Sequence, residues 1–187
     1  MNGEGSGERH SGRRERRPRP LDQAALQELA FGYVARFATS RAKLHSYLVR
    51  KLRERGWNGA AEPDTQAVVD KVVDLGFIDD AAFAGMKAAS LTRRGYGKGR
   101  VRIALAQSGI AAEDGSEALA HADEQSLAAA LRFAERRKIG PYALAQADPA
   151  GRQRALAAML RAGHPMDLAR RIVGTAPGAF ENLSDNG

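Results

Sequence analysis

The 187-residue sequence contains no cysteine and only four histidines, and each shortage excludes a class of site. Without cysteine, the chain can form neither a disulfide framework nor a thiolate metal site. The histidines are scattered, and no HExxH or paired Asp/His spacing is present. We therefore expect no bound metal and no cofactor.

Long apolar runs are also missing. No segment approaches the roughly 20 apolar residues of a transmembrane helix. The arginines near the N-terminus do not precede the apolar segment of a secretory signal. We expect a cytoplasmic protein that has no membrane contact.

Aromatic residues make up only 6% of the chain, whereas apolar residues make up 43% and alanine is abundant. This composition favours helices that pack closely through small side chains over a β-sandwich. Basic residues exceed acidic ones, with a formal charge of +7 and a pI of about 10.1. Such an excess indicates a polyanionic partner, such as nucleic acid or a nucleoprotein surface.

The apolar spacing predicts helices along most of the chain, grouped in threes. We assign three-helix repeats to residues 21–77, 78–123 and 124–174, preceded by a disordered basic leader at 1–20 and followed by a flexible tail at 175–187. The predicted fold is all-α, with tandem three-helix repeats that form an elongated, curved array.

Three glycines mark the register of this repeat. Gly56, Gly109 and Gly163 each end the second helix of a repeat and are 53 and 54 residues apart. Asp22 and Ser40 precede apolar helical patterns and are expected to cap the first two helices.

Charge alternates between segments. Residues 41–55 carry six cations and one acid, and 62–80 carry six acids and one cation. Residues 81–112 carry six cations and no acid at all, whereas 113–124 carry five acids and no lysine or arginine. Ordinary surface ion pairs explain most such clusters, but no local acid can neutralise the 81–112 segment.

The glycine-rich turn and the pair Asp79–Asp80 could suggest a catalytic site, but neither has the pattern that one requires. The turn at residues 95–99 lacks the Ser or Thr of a Walker A loop and follows a helix rather than a strand. It is either a flexible linker or a surface that touches phosphate at a helix N-terminus. Helix capping explains Asp79 and Asp80 better than a pair of catalytic carboxylates does. Nothing in the sequence argues for an enzyme.

Residues 76–84, 94–105 and 109–110 resemble the centre of the RecX regulatory proteins. The shared pattern is a Gly-aromatic-x-Asp-Asp-x-x-Phe-Ala opening, an arginine-rich glycine turn and an Arg-Ile-x-x-Leu helix. The first repeat matches fairly well, although Lys43 stands where an acidic residue is usual. The third repeat matches weakly, and the basic leader lies outside the resemblance.

The resemblance implies a regulator that binds the RecA filament on single-stranded DNA, and we expect this chain to be a monomer. It also implies that this regulator limits the ATPase, strand-exchange and co-protease activities of RecA. We expect electrostatic contact with phosphate or with an acidic RecA surface. The residues that we expect to make it are Arg93, Arg94, Lys98, Arg100 and Arg102, then Arg41, Lys43, Arg50 and Arg53. The alternatives are a helical DNA-binding protein or transcription regulator that acts without RecA and, with almost no support, an enzyme.

Overall fold

The computed structural model describes residues 19–180, which form nine α-helices and no β-strand beyond an isolated bridge between Leu21 and Trp57. The helices are α1 Gln23–Val34, α2 Arg41–Arg55, α3 Thr65–Asp74, α4 Asp80–Arg93, α5 Lys98–Ala106, α6 Ala112–Glu124, α7 Ser126–Arg137, α8 Pro149–Arg161 and α9 Met166–Gly174. The predicted all-α repeat architecture is confirmed. No helix in this part of the chain is long and apolar enough to cross a bilayer.

Helix starts follow the capping residues. The side-chain oxygens of Asp22, Ser40, Asp64 and Asp79 each accept a hydrogen bond from the main-chain N–H three residues further on. These bonds satisfy donors that the first turn of a helix leaves free. The predicted caps at Asp22 and Ser40 are confirmed, and Asp79 caps α4.

Each group of three helices encloses its own core, and we call the groups repeat 1 (α1–α3), repeat 2 (α4–α6) and repeat 3 (α7–α9). The buried side chains include Leu26, Leu48 and Val72 in repeat 1, Ala84, Val101 and Leu105 in repeat 2, and Phe133, Met159 and Ile172 in repeat 3. The core of repeat 2 is rich in alanine, which lets α4 and α6 approach closely. The three cores follow one another in chain order, as in a tandem array.

The joint between repeats 1 and 2 is polar. The hydroxyl of Ser40 donates to the carbonyl oxygen of Ser108 over 2.5 Å, and the N–H of Arg41 donates to Oδ1 of Asp80 over 3.0 Å. The N-terminus of α2 is therefore attached to the C-terminal end of α5 and to the start of α4.

The joint between repeats 2 and 3 is built from the glycine-rich turn. The N–H groups of Gly97 and Gly99 donate to the carbonyl oxygens of Ala162 and Gly163 at 2.9 and 3.0 Å. The prediction of a flexible linker at residues 95–99 is wrong, because the following repeat occupies the donors of the turn. The alternative of a main-chain phosphate site fails at these two N–H groups for the same reason.

Two of the register glycines also dock onto the preceding repeat. Gly109 and Gly163 have φ of +67° and +90°, which places both in the left-handed region. A Cβ on Gly109 would overlap the side chain of Ala42, and a Cβ on Gly163 would overlap the main-chain nitrogen of Arg100. The repeat spacing therefore reflects a repeated contact as well as a repeated helix end.

Residues assigned to each predicted tail make contacts with the rest of the described chain. The carbonyl oxygen of Arg19 accepts a bond from Arg55, so the structured region begins inside the predicted leader. At the other end, the N–H of Gly178 donates to the carbonyl oxygen of Pro141 at 2.9 Å, and the ring of Phe180 packs on Tyr142. Within the predicted tail, Gly178 and Phe180 therefore contact the segment around Pro141, and the flexibility of residues 175–187 stays a prediction. The rest of the leader and residues 181–187 lie outside the described residues.

Candidate functional site

Two grooves open beside the turn that joins α4 to α5, and Arg94 and Arg100 line both of them. The arginine groove, of about 670 Å³, lies between repeats 2 and 3. It is lined by Arg94, Tyr96, Arg100, Phe133, Arg136, Arg137, Ala158, Arg161 and Ala162. The lysine groove, of about 460 Å³, lies between repeats 1 and 2. It is lined by Ala38, Lys43, Phe83, Met86, Lys87, Ser90, Leu91, Arg94, Arg100 and Ala104.

Aromatic rings and a carbonyl group hold the side chains of the arginine groove. The guanidinium of Arg94 lies 5.4 Å from the ring centroid of Tyr96, and Arg136 and Arg137 both lie 5.8 Å from that of Phe133. Arg136 also donates from Nη1 to the carbonyl oxygen of Arg94, which links α7 to the end of α4. Cation–π contacts of this kind stabilise a guanidinium without neutralising its charge.

The lysine groove concentrates positive charge around one ring. The ammonium groups of Lys43 and Lys87 lie 5.1 and 5.6 Å from the ring centroid of Phe83. Burial lowers the pKa of Lys87, and the nearby charge of Lys43 lowers it further. In the described part of the chain neither ammonium forms an ion pair with a carboxylate.

The two grooves differ in how much apolar surface they expose. The residues that line the lysine groove include Phe83, Met86 and Leu91, and Met86 is 57% exposed. The arginine groove has no comparable open apolar surface, because Phe133 is buried. A protein partner with apolar and acidic side chains suits the lysine groove, whereas a highly charged anion suits the arginine groove.

Helix α4 separates a basic groove from an acidic one. Its residues 83, 87, 90 and 94 face the lysine groove, and the 3.6-residue period places residues 81, 85 and 88 on the other side. That other side lines a groove of about 390 Å³ together with Glu113, Asp114 and Glu117 of α6. Repeat 2 is therefore basic on one face and acidic on the other.

Lys98 does not join the basic surface. Its Nζ lies 2.7 Å from Oδ2 of Asp123 on α6, in a shallow cleft that also contains Glu124. The expectation that nothing neutralises residues 81–112 is wrong at this position. The acid comes from the segment 113–124, which the fold returns to the start of α5.

The other predicted contact residues lie at several places on the surface. Arg93 and Arg102 are exposed but line neither groove. Arg41, Arg50 and Arg53 are exposed on α2, where Arg50 forms an ion pair with Glu54 at 3.6 Å. The structure therefore brings Arg94 and Arg100 together with Lys43 and separates them from the remainder.

Sequence reasoning missed four cations that complete the surface, namely Lys87, Arg136, Arg137 and Arg161. Arg136 and Arg137 adjoin the basic segment only when α7 packs on α4. Lys87 is the one that a sequence signal could have identified. It lies four residues, about one helical turn, after Phe83 and seven residues, about two turns, before Arg94, on the same face of α4.

The two adjacent aspartates have different structural roles. Asp79 caps α4, with its carboxylate accepting the N–H of Ala82 at 2.8 Å. Asp80 is buried in the joint between repeats 1 and 2, and this burial raises its pKa against the opposing effect of the Arg41 N–H. Both roles are structural, which agrees with the interpretation that neither is catalytic.

Comparison with known proteins identifies the central repeat first. Residues 79–119 match the family model described as RecX, second three-helix domain. A regulatory protein RecX of Stenotrophomonas maltophilia is 35% identical over 165 residues, covering 83% of this chain and 89% of that protein. The RecX protein of Myxococcus xanthus is 29% identical over 173 residues, covering 87% and 91%. A mycobacterial relative is 33% identical over 115 residues, or 61% of each chain.

Solved structures share the fold at lower identity. The crystal structure of RecX from Lactobacillus salivarius has a TM-score of 0.59 at 17% identity and covers 81% of this chain and 94% of its own. A second structure, of a regulatory protein RecX, has a TM-score of 0.56 at 22% identity, with 80% and 72% covered. These relatives are named as regulatory proteins rather than enzymes. By sequence and by fold, the chain belongs to the RecX family of regulatory proteins.

Proposed function

We propose that this protein binds the RecA filament on single-stranded DNA as a monomer and restrains its ATPase, strand-exchange and co-protease activities. The contact surface in this proposal consists of the arginine and lysine grooves, centred on Arg94 and Arg100. The exposed cations Arg93, Arg102, Arg41, Arg50 and Arg53 flank it and contribute at longer range. Lys98 contributes least, because Asp123 already neutralises it.

One observation carries the proposal. Seven cations from all three repeats line two adjoining grooves, and none of the described residues that line them is acidic. Like charges held this close oppose folding, so a surface of this kind is consistent with a polyanionic partner. A RecA filament on DNA offers phosphates and protein surface together, which suits one polar and one partly apolar groove.

The decisive measurement is the RecA ATPase rate on single-stranded DNA at increasing concentrations of this protein. We expect a dose-dependent fall in the rate for the wild-type chain. A double variant, Lys43→Glu with Arg94→Glu, should retain its helicity and lose most of the inhibition. A wild-type chain that leaves the ATPase rate unchanged at saturating concentration would contradict the proposal.

The alternative is a DNA-binding protein that acts without RecA. It predicts preferential binding to one duplex sequence and therefore needs a helix that can enter the major groove. Arg100 of α5 lies instead in the grooves between repeats, which argues against α5 as that helix. Sequence-specific duplex binding by the purified protein would favour this alternative.

A further inference from the structure

We infer that the arginine groove is a binding site for a chain of phosphate groups, and that it recognises the phosphates without reading bases. The inference rests on the proposed function for its biological setting and names the ligand class of one part of that surface. The same chemistry occurs in the backbone of a single strand and in a free oligophosphate, and both should bind without RecA.

The arginine groove concentrates positive charge. Five guanidinium groups line it, two from repeat 2 and three from repeat 3, and within residues 19–180 no carboxylate lines it with them. Arginine cannot lower this repulsion by losing a proton, since a guanidinium stays protonated in proteins. A single carboxylate would compensate only part of the charge, whereas adjacent phosphates would compensate most of it.

Aromatic rings hold three guanidinium groups of the arginine groove in place. The guanidinium groups of Arg94, Arg136 and Arg137 are already positioned by the rings of Tyr96 and Phe133. Their planar donors suit the paired oxygens of a phosphate, and a fixed donor loses less entropy on binding than a free side chain does. A volume of about 670 Å³ leaves room for more than one phosphate group.

The aromatic rings of the arginine groove are not available for base stacking. A base-reading site for a single strand needs an open aromatic face on which a base can stack. Phe133 is only 4% exposed, and a guanidinium lies over the ring of Tyr96. The exposed apolar side chain, Met86, belongs to the lysine groove instead. The arginine groove therefore suits phosphate rather than base or apolar peptide.

Because the five arginines come from two repeats, an occupying phosphate chain would bridge the joint between repeats 2 and 3. Binding at this place should stabilise the joint by mass action and by relief of repulsion. Inorganic tripolyphosphate should therefore raise the thermal unfolding midpoint, and sulfate at the same ionic strength should raise it less.

The test uses the full chain without RecA and three probes: a labelled oligo-dT, an abasic oligodeoxynucleotide of equal length, and tripolyphosphate as competitor. We expect the two oligonucleotides to bind within about threefold of each other, because stacking contributes little here. Tripolyphosphate should displace both. Five phosphate contacts at about 0.7 each predict a salt slope near −3.5 on a logarithmic plot.

The site-specific variant is Arg137→Glu with Arg161→Glu, and the matched control is Arg154→Glu with Arg170→Glu. Both pairs lie on helices of repeat 3 and change the net charge equally, but the control pair lines neither groove. We expect the groove pair to weaken oligonucleotide binding about tenfold or more, and the control pair by less than about threefold because of screening. Equal losses in the two pairs would overturn the inference.

Assaying RecA inhibition with the same proteins separates the two claims. A wild-type chain that inhibits RecA but binds neither oligonucleotide nor tripolyphosphate would overturn the phosphate site, leave the proposed function intact and assign the groove to an acidic protein surface. A chain that binds both probes through the groove but leaves RecA unaffected would support the phosphate site and contradict the proposed function. If the groove pair fails to fold, displacement by tripolyphosphate from the wild-type chain still decides the question.

Discussion

The hydroxyl of Ser40 donates a hydrogen bond to the carbonyl oxygen of Ser108, which lies 68 residues further along the chain. Oγ of Ser40 also accepts the N–H of Lys43 at 3.3 Å and so caps α2. One fully buried side chain therefore begins a helix of repeat 1 and attaches it to the turn that follows α5 in repeat 2.

Replacing Ser40 with alanine should reduce the free energy of unfolding by about 2–3 kcal/mol. About 1 kcal/mol is the usual value of an N-cap, and the rest comes from a buried carbonyl left without a donor. The control is Asp64→Ala, which removes only an exposed cap and should cost about 1 kcal/mol. Urea unfolding of both variants measures the difference, and equal losses would show that the bond to Ser108 contributes nothing.

Acid should loosen the joint between repeats 2 and 3. His164 is buried there, with Nε2 at 3.1 Å from the carbonyl oxygen of Gly95, and within the described residues its Nδ1 finds no partner. Burial lowers the pKa of His164, although the bond to Gly95 opposes this effect. The unfolded chain therefore binds a proton more readily than the folded chain.

Stability should accordingly fall as the pH drops below about 6.5, the ordinary pKa of histidine, and level off below its lowered folded value. The measurement is the free energy of unfolding at several pH values between 5 and 8. In His164→Gln this contribution to the pH dependence should be absent. A variant with the same pH profile as the wild type would exclude His164 as its source.

The three register glycines offer a graded test of the docking contacts. Gly56, Gly109 and Gly163 all have positive φ, but a Cβ on Gly56 would meet open space. Gly56→Ala should therefore cost only the backbone strain of its positive φ, about 1–3 kcal/mol. Gly163→Ala should cost about 1–3 kcal/mol more, because its methyl group overlaps the main chain of Arg100.

Denaturant midpoints of the two variants measure this difference. Both substitutions are made in the full chain. Equal destabilisation of Gly56→Ala and Gly163→Ala would mean that the third repeat rearranges freely around the extra methyl group.

Arg100 and Arg102 carry the same charge on the same helix, yet only Arg100 lies in the grooves. Arg100→Glu should raise the concentration needed for half-inhibition of the RecA ATPase about tenfold, while Arg102→Glu should raise it by less than about threefold. We expect this difference because Arg100 would contact the partner directly, whereas Arg102 would attract it only at longer range, where salt screens the interaction. The circular dichroism spectra should be the same for both variants. An equal effect of the two substitutions would show that the contact surface includes Arg102 and extends beyond the grooves.

The local features of the fold could be predicted from the sequence because they depend on neighbours in the chain. Asp22 and Ser40 precede apolar patterns of helical period, so the starts of α1 and α2 follow from capping chemistry alone. The spacing of Gly56, Gly109 and Gly163 predicted the repeat, because each ends a helix in a conformation that glycine adopts readily. The basic character of residues 81–112 was equally visible.

Which cations act together was decided only by the tertiary structure. The distance between charges depends on how helices from different repeats pack, and this information is absent from any local window of sequence. Asp123 returns on α6 to neutralise Lys98, while α7 brings Arg136 to Arg94. The sequence determined the helices, their caps and their charge, whereas packing between repeats determined the grooves, because groove walls come from segments 40 or more residues apart.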